Sequence, residues 1–398
     1  MIFLFFLLLT ISNEMLYSQE TAINYKTDDT PPVLINIYHN RVLDDLVIIK
    51  MSGLDQDSQL SPLEVKRRLE TTGLFSQVVV NKRNNIVDII VDEKSNWMII
   101  PYLYSDGNST VYGVAGGMLA ALGQNNRILG RYQFGKDNRE AALLLRDEYF
   151  RNTFWALGIG YDYEDSFHKI YYDRKTFEKR HKSYQGLCPK VGYHLDPYFY
   201  VEANGCWEKH KFENYEKVSL EGTQVSNKIS GIWSNFYLRE GLARGKSLRV
   251  YYETSNSYSD FHFYKMGAFS EVSLFLKNDL NWILRSNAEM GSSLAFYQLF
   301  ESSAAKLRGF NEQQFRDKYY ISIQNDFFLS SLHLWKIIVR PLLFLDGAYF
   351  QKGLRLGVGP GFHIYFKTIA MPALQFWAAY GINPNGLTIS LSLGLNFK

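Results

Sequence analysis

Residues 387–397 read Leu387-Thr388-Ile389-Ser390-Leu391-Ser392-Leu393-Gly394-Leu395-Asn396-Phe397, and Lys398 follows. Each odd position is apolar, and the even positions are Thr, Ser, Ser, Gly and Asn. A period of two belongs to a β-strand with one apolar and one polar face. A slip of one residue would exchange the faces, so the register is strongly specified. The pattern recurs upstream. Leu356, Val358, Pro360, Phe362, Ile364 and Phe366 alternate with Arg355, Gly357, Gly359, Gly361, His363 and Lys367. Ile337, Val339, Pro341, Leu343 and Leu345 alternate with Lys336, Ile338, Arg340, Leu342, Phe344 and Asp346. Similar segments begin near residues 97, 110, 127, 139, 153, 182, 197, 228, 246, 266, 280, 317 and 371, about sixteen strands in all.

Composition narrows what these strands build. The chain has 398 residues, 46% of them hydrophobic and 16% aromatic, yet its mean hydropathy is only -0.20. Apolar residues are therefore finely mixed with polar ones. A helical membrane protein needs repeated runs of about 20 apolar residues, and none exists here. Disorder is excluded by the aromatic content and a net charge of only +3. A soluble β-sandwich also alternates. Regular spacing of the strands behind a secretion signal favours a transmembrane β-barrel, and an even number closes with both ends on one side. Short turns at 124–126, 196–197 and 383–386 contrast with polar stretches at 165–181, 211–227, 255–265 and 293–315, the expected long loops. Tyr198-Phe199-Tyr200 and Tyr319-Tyr320 stand at strand ends, where interfacial girdles place aromatics.

The apolar run from Met1 to Ile11 is too short to span a bilayer and fits a signal peptide over residues 1–18, cleaved after Ser18. No Lys or Arg precedes the run, a departure from the usual pattern. No Cys follows it, so a lipid anchor is not expected. Residues 19–30 read as a linker. Residues 31–95 then change character. Val33–Tyr38 alternates as a strand, and Val42–Lys50 has helical spacing ended by Gly53. Ser61-Pro62-Leu63-Glu64 carries an N-cap, a first-turn Pro and Glu at N3. Gly73 stops that helix. Strands follow over Gln77–Lys82 and Ile86–Asp92. The expectation is a small β-α-α-β-β domain, with residues 96–398 forming a 16-stranded antiparallel barrel.

The Leu69…Gly73-Leu74-Phe75…Val78 spacing resembles that of a polypeptide-transport-associated (POTRA) domain. On residues alone, a generic α+β spacer fits equally. In the long stretch before the twelfth strand, Leu307-Arg308-Gly309-Phe310 resembles the [V/L]-R-G-[F/Y] motif of the BamA/TamA outer-membrane assembly superfamily, which includes two-partner secretion transporters. That resemblance implies a loop folded back into the barrel, with its Arg on the Asp of an F-x-D-x-G motif. Phe344-Leu345-Asp346 matches F-x-D, while Ala348 stands at the family's Gly position. Asp346 falls on the inward face by parity and needs a partner there; Arg308 offers a bidentate one. Asn126–Gly130 and Gly357-Val358-Gly359-Pro360-Gly361 are also family-like. Gly394, Leu395 and Phe397 resemble the C-terminal strand signal by which such barrels are assembled.

Other motifs fail. Gly241–Ser247 misses a P-loop by one residue and reads as a basic turn. No dinucleotide fingerprint, metal spacing or serine elbow occurs, so no enzyme activity, catalytic residue, cofactor or metal is expected. A pI near 8.5 comes from basic residues interspersed with acidic ones, and no nucleic-acid motif accompanies them. Cys188 and Cys206 are equidistant from Pro197 and share the inward parity, which allows either a cross-strand disulfide or two free thiols. The resemblance implies a barrel in the bacterial outer membrane, contacting its lipid, with the N-terminal domain in the periplasm. Its partners would be unfolded outer-membrane proteins or secreted polypeptides, with accessory envelope proteins. Clients would meet the POTRA edge and a weak seam between the first and last strands. The alternative is a pore or structural barrel without insertase activity, within a larger envelope complex.

Overall fold

The computed structural model describes residues 21–25 and 33–393, except positions 73, 95–96, 106–109, 122–125, 173–174, 214–217, 240–241, 277–278, 295–297, 304–305, 312, 336, 351–352 and 367–371. The stretch 1–18 expected to be a signal peptide, Gly73, and the C-terminal Gly394, Leu395 and Phe397 lie outside the described residues. The chain divides into two compact units, the second beginning at Trp97.

The first unit contains β1 (Thr21–Tyr25), β2 (Val33–Tyr38), α1 (Asp45–Ser52), α2 (Pro62–Thr71), β3 (Phe75–Arg83) and β4 (Ile86–Glu93). Its sheet order is β1-β2-β4-β3. Ser61 caps α2 by accepting from the Glu64 amide at 3.2 Å, and Gly53 ends α1 at φ 77°. Val33, Ile35 and Ile37 of β2 and Val87, Ile89 and Val91 of β4 point to one side and are buried. Val47, Ile48 and Leu69 of the helices are buried too. Phe75, at the start of β3, is buried as well. The β-α-α-β-β order matches the sequence reading. The linker expected over residues 19–30 is corrected in part: Thr21–Tyr25 is a strand, antiparallel to β2 from Thr21–Ile37 to Tyr25–Val33. Thr21, Ile23 and Tyr25 favour extended backbone, but five residues are too few for alternation to stand out.

The second unit is a closed antiparallel barrel. Its strands are β5 (Trp97–Ser105), β6 (Thr110–Ala121), β7 (Asn126–Gly135), β8 (Asn138–Asp147), β9 (Trp155–Tyr172), β10 (Lys175–His194), β11 (Phe199–Glu213), β12 (Ser219–Ser234) and β13 (Tyr237–Arg239). They continue with β14 (Leu242–Ser255), β15 (Tyr264–Phe275), β16 (Asn281–Ser292), β17 (Phe300–Glu301), β18 (Arg316–Asp317), β19 (Tyr319–Phe328) and β20 (Leu332–Leu334). The last four are β21 (Ile337–Phe350), β22 (Gly353–Phe366), β23 (Pro372–Ile382) and β24 (Gly386–Leu393). β13 and β20 only extend hairpins, since β12 pairs directly with β14 and β19 with β21. β17 and β18 form a separate two-stranded ribbon inside one loop. Sixteen strands therefore make the wall.

The wall is inverted relative to a soluble protein. Leu387 and Leu343 are 64% and 52% exposed, while Ser390 and Asp346 are 1% and 0% exposed. Apolar outside and polar inside is the arrangement a lipid-facing barrel requires. Two expected loops are corrected: most of 165–181 and 211–227 is strand, belonging to β9–β12. Charged residues interrupt the apolar face there, so the apolar alternation is lost. Cross-strand pairs hold these ends instead, with His181 on Asp165 at 2.6 Å, Lys182 on Glu164 at 3.2 Å and Lys209 on Glu221 at 2.7 Å. The Gly241–Ser247 turn is likewise corrected, because Leu242–Ser247 already belongs to β14.

Candidate functional site

The site is built by the loop between β16 and β19. The β17–β18 ribbon ties its two arms, pairing Phe300 with Asp317 and Glu301 with Arg316. Ser302 gathers the centre: its amide donates to the Phe315 carbonyl at 2.9 Å, and its hydroxyl accepts from the Phe315 amide at 3.0 Å. Gly309 turns the tip at φ +93°, a left-handed conformation that glycine accommodates without strain.

The tip lies against the inner wall. Arg308 Nε donates to Asp346 Oδ2 at 2.7 Å and Nη2 to Asp346 Oδ1 at 2.6 Å, a bidentate pair. The Arg308 amide also donates to Asp346 Oδ2, at 2.9 Å. Arg308 Nη2 donates further to Asp326 Oδ1 at 2.6 Å. Asp326 accepts from Arg285 Nη1 at 2.5 Å, and Arg285 Nε donates to Glu271 at 3.0 Å. Charges thus alternate across four strands and a loop: Asp346 on β21, Arg308 on the loop, Asp326 on β19, Arg285 on β16 and Glu271 on β15. Alternation is what makes burial of so many charges tolerable, because each has an opposite neighbour. Phe344 lies beneath the Arg308 guanidinium, 3.8 Å from carbon to ring centroid. It therefore serves the same cation as Asp346, two residues on.

Apolar contacts flank the ionic chain. Leu307 and Phe310 are buried with Phe300, Tyr320, Ala348 and Phe350. Ala348 belongs to this cluster. A second cluster joins Ile283, Phe328, Leu342, Phe344, Trp377 and Ala379. These are inward residues of β16, β19, β21 and β23, so on this arc apolar side chains share the inner face with the ionic chain. Gly357, opposite Asp346 in the β21–β22 register, explains how the loop comes so close. A Cβ there would collide with the Arg308 carbonyl oxygen.

Sequence reading brings Arg308, Asp346 and Phe344 together but misses Asp326, Arg285 and Glu271. Asp326 shares inward parity with Ser322 and Gln324; parity is the available signal. The opposite arc is polar, with Arg131 on Glu140 at 3.1 Å and Arg146 on Glu202 at 2.5 Å. Cys188 of β10 and Cys206 of β11 are joined there as a disulfide, their Cα atoms 4.2 Å apart. β24 meets β5 through Leu391–Ser105, Ser392–Tyr104 and Leu393–Leu103 among the described residues.

No family profile matches the chain, and no curated protein matches it in sequence. Solved structures do. BamA from Haemophilus ducreyi lacking POTRA domains 1-3 aligns with a TM-score of 0.60 at 14% identity, over 94% of this chain and 89% of that one. CdiB from Escherichia coli gives 0.64 at 12% identity, over 94% and 80%. CdiB from Acinetobacter baumannii gives 0.57 at 10%, over 90% and 73%. At these identities the likeness is one of architecture, and on it the chain has the fold of the BamA and CdiB barrels.

Proposed function

We propose that the chain is an outer-membrane barrel that handles polypeptides, either inserting outer-membrane proteins or moving a polypeptide across. The observation that carries this reading is the inward loop held by Arg308 on Asp346 and Asp326, inside a sixteen-stranded barrel. A loop so anchored organises the lumen and performs no covalent chemistry. The POTRA-like unit, with Leu69, Gly73 and Phe75 in its motif, lies in the periplasm and receives extended clients. The β24–β5 seam supplies a place where a client strand can template, since lipid offers no hydrogen bonds to unpaired backbone. A passive pore or structural subunit is the second reading. The filled arc of the lumen weighs against free solute flow. Depletion followed by outer-membrane proteomics separates the two. Loss of many barrel proteins, or of one exported polypeptide, supports polypeptide handling. An unchanged proteome with altered solute permeability supports the pore.

A further inference from the structure

The outer face of β9–β12 changes chemistry from one row of side chains to the next. Tyr161, Leu187, Trp207 and Val225 stand side by side in the strand register. Tyr161, Leu187 and Trp207 are 40%, 43% and 51% exposed, as lipid-facing residues are. The next outward row is Tyr163, Gln185, Lys209 and Thr223, and the one after it is Asp165, Ser183, Lys211 and Glu221. A recess of about 350 Å³ lies on these two rows, and eight of its ten lining residues have outward parity. Charge on the outer side of a barrel is costly within hydrocarbon and cheap at the headgroups. Lys209 is only two residues from Trp207, so the boundary between acyl chains and headgroups falls between their rows.

The charges of the recess are sorted by strand. Both ammonium groups, Lys209 and Lys211, belong to β11. The carboxylates flank them, Asp165 on β9 and Glu221 on β12. Glu221 holds Lys209 at 2.7 Å, and Asp165 holds His181 at 2.6 Å. Two ammonium groups and two carboxylates cancel, so the recess has no excess charge to draw a simple anion. It matches a group that carries both signs a few ångströms apart. We infer that this recess binds the headgroup of a zwitterionic phospholipid, one with a phosphate and an amine. Lys209 and Lys211 donate to the phosphate, and Glu221, on the neighbouring strand, accepts from the amine. Ser183 and Gln185 supply neutral donors beside them. The acyl chains lie along Leu187 and Trp207. The inference rests on the outer-membrane reading above and adds to it a lipid of stated chemistry at a stated place.

The test is native mass spectrometry of the full chain in a non-ionic detergent. The probes are dioleoyl phosphatidylethanolamine, phosphatidylglycerol with the same chains, and inorganic phosphate as competitor. Wild type should bind one phosphatidylethanolamine molecule at least fivefold more tightly than phosphatidylglycerol, and inorganic phosphate should not displace it. Lys209→Gln/Lys211→Gln should weaken binding of both lipids at least fivefold. Glu221→Gln removes the partner of the amine and leaves one cation in excess, so it should reverse the preference towards phosphatidylglycerol. All these substitutions are of exposed side chains, and retained heat-modifiability on electrophoresis verifies the closed barrel in each variant. Equal binding of the two lipids by wild type overturns the proposal. So does a double lysine variant that binds as wild type does, or displacement of the lipid by inorganic phosphate. A negative result with the chain still found in the outer-membrane fraction removes only the headgroup site and leaves the barrel's place in lipid standing.

Discussion

Arg308 is the residue whose loss separates the parts of the site. Replacing it with Ala strands Asp346 and Asp326 in a buried setting, a change that costs about 3–5 kcal/mol when a buried ion pair loses one member. The barrel wall has its own backbone ladder, so the expected outcome is a folded, heat-modifiable barrel with a released loop. Limited proteolysis of the 293–318 segment measures this, and a loop as resistant as wild type counts against the anchor. Arg308→Lys keeps the charge but gives up the planar fork, so intermediate protease resistance is expected. Asp346→Asn should be more damaging than Asp326→Asn, because Asp346 takes three of the four Arg308 bonds to the two carboxylates. The Arg308–Asp346 pair is legible in the amino-acid sequence, since parity puts Asp346 inside and a motif puts Arg308 in a loop. Asp326 and Arg285 are not. Inward parity says that a side chain enters the lumen, but which inward groups meet depends on strand register and tilt, and those are settled by the whole wall.

At the scale of elements, the loop and the wall fit by shape as well as charge. Gly357→Val keeps every charged residue yet fills the space of the Arg308 carbonyl. It should expel the loop with the ionic partners intact, giving the same protease sensitivity as Arg308→Ala. If its loop stays protected, close approach at Gly357 is not what seats it. The hairpin of β10 and β11 offers a separate check. Without reductant, neither Cys188 nor Cys206 should react with a thiol reagent in the unfolded chain, as read by mass; full labelling of both excludes the bridge. Strand identity is readable wherever lipid imposes a two-residue period. Strand length is not, as 165–181 and 211–227 illustrate. Beyond the apolar band charged residues enter both faces, and cross-strand ion pairs replace the pattern that marks a strand.

For the whole molecule, the inner space has two materials. The arc from β16 to β23 is packed by the loop and two apolar clusters, and the arc from β7 to β11 is lined with ion pairs. Purified protein in planar bilayers should therefore conduct weakly, and Gly357→Val should raise the unit conductance well above wild type. Equal conductance in both would mean that the loop does not obstruct the lumen. The same division has a mechanical consequence. A thin-walled tube braced along one side deforms on the other, so radial load flattens the unbraced arc first while the braced arc turns as a rigid shell. The β24–β5 closure lies just outside that shell, where bending strain would gather.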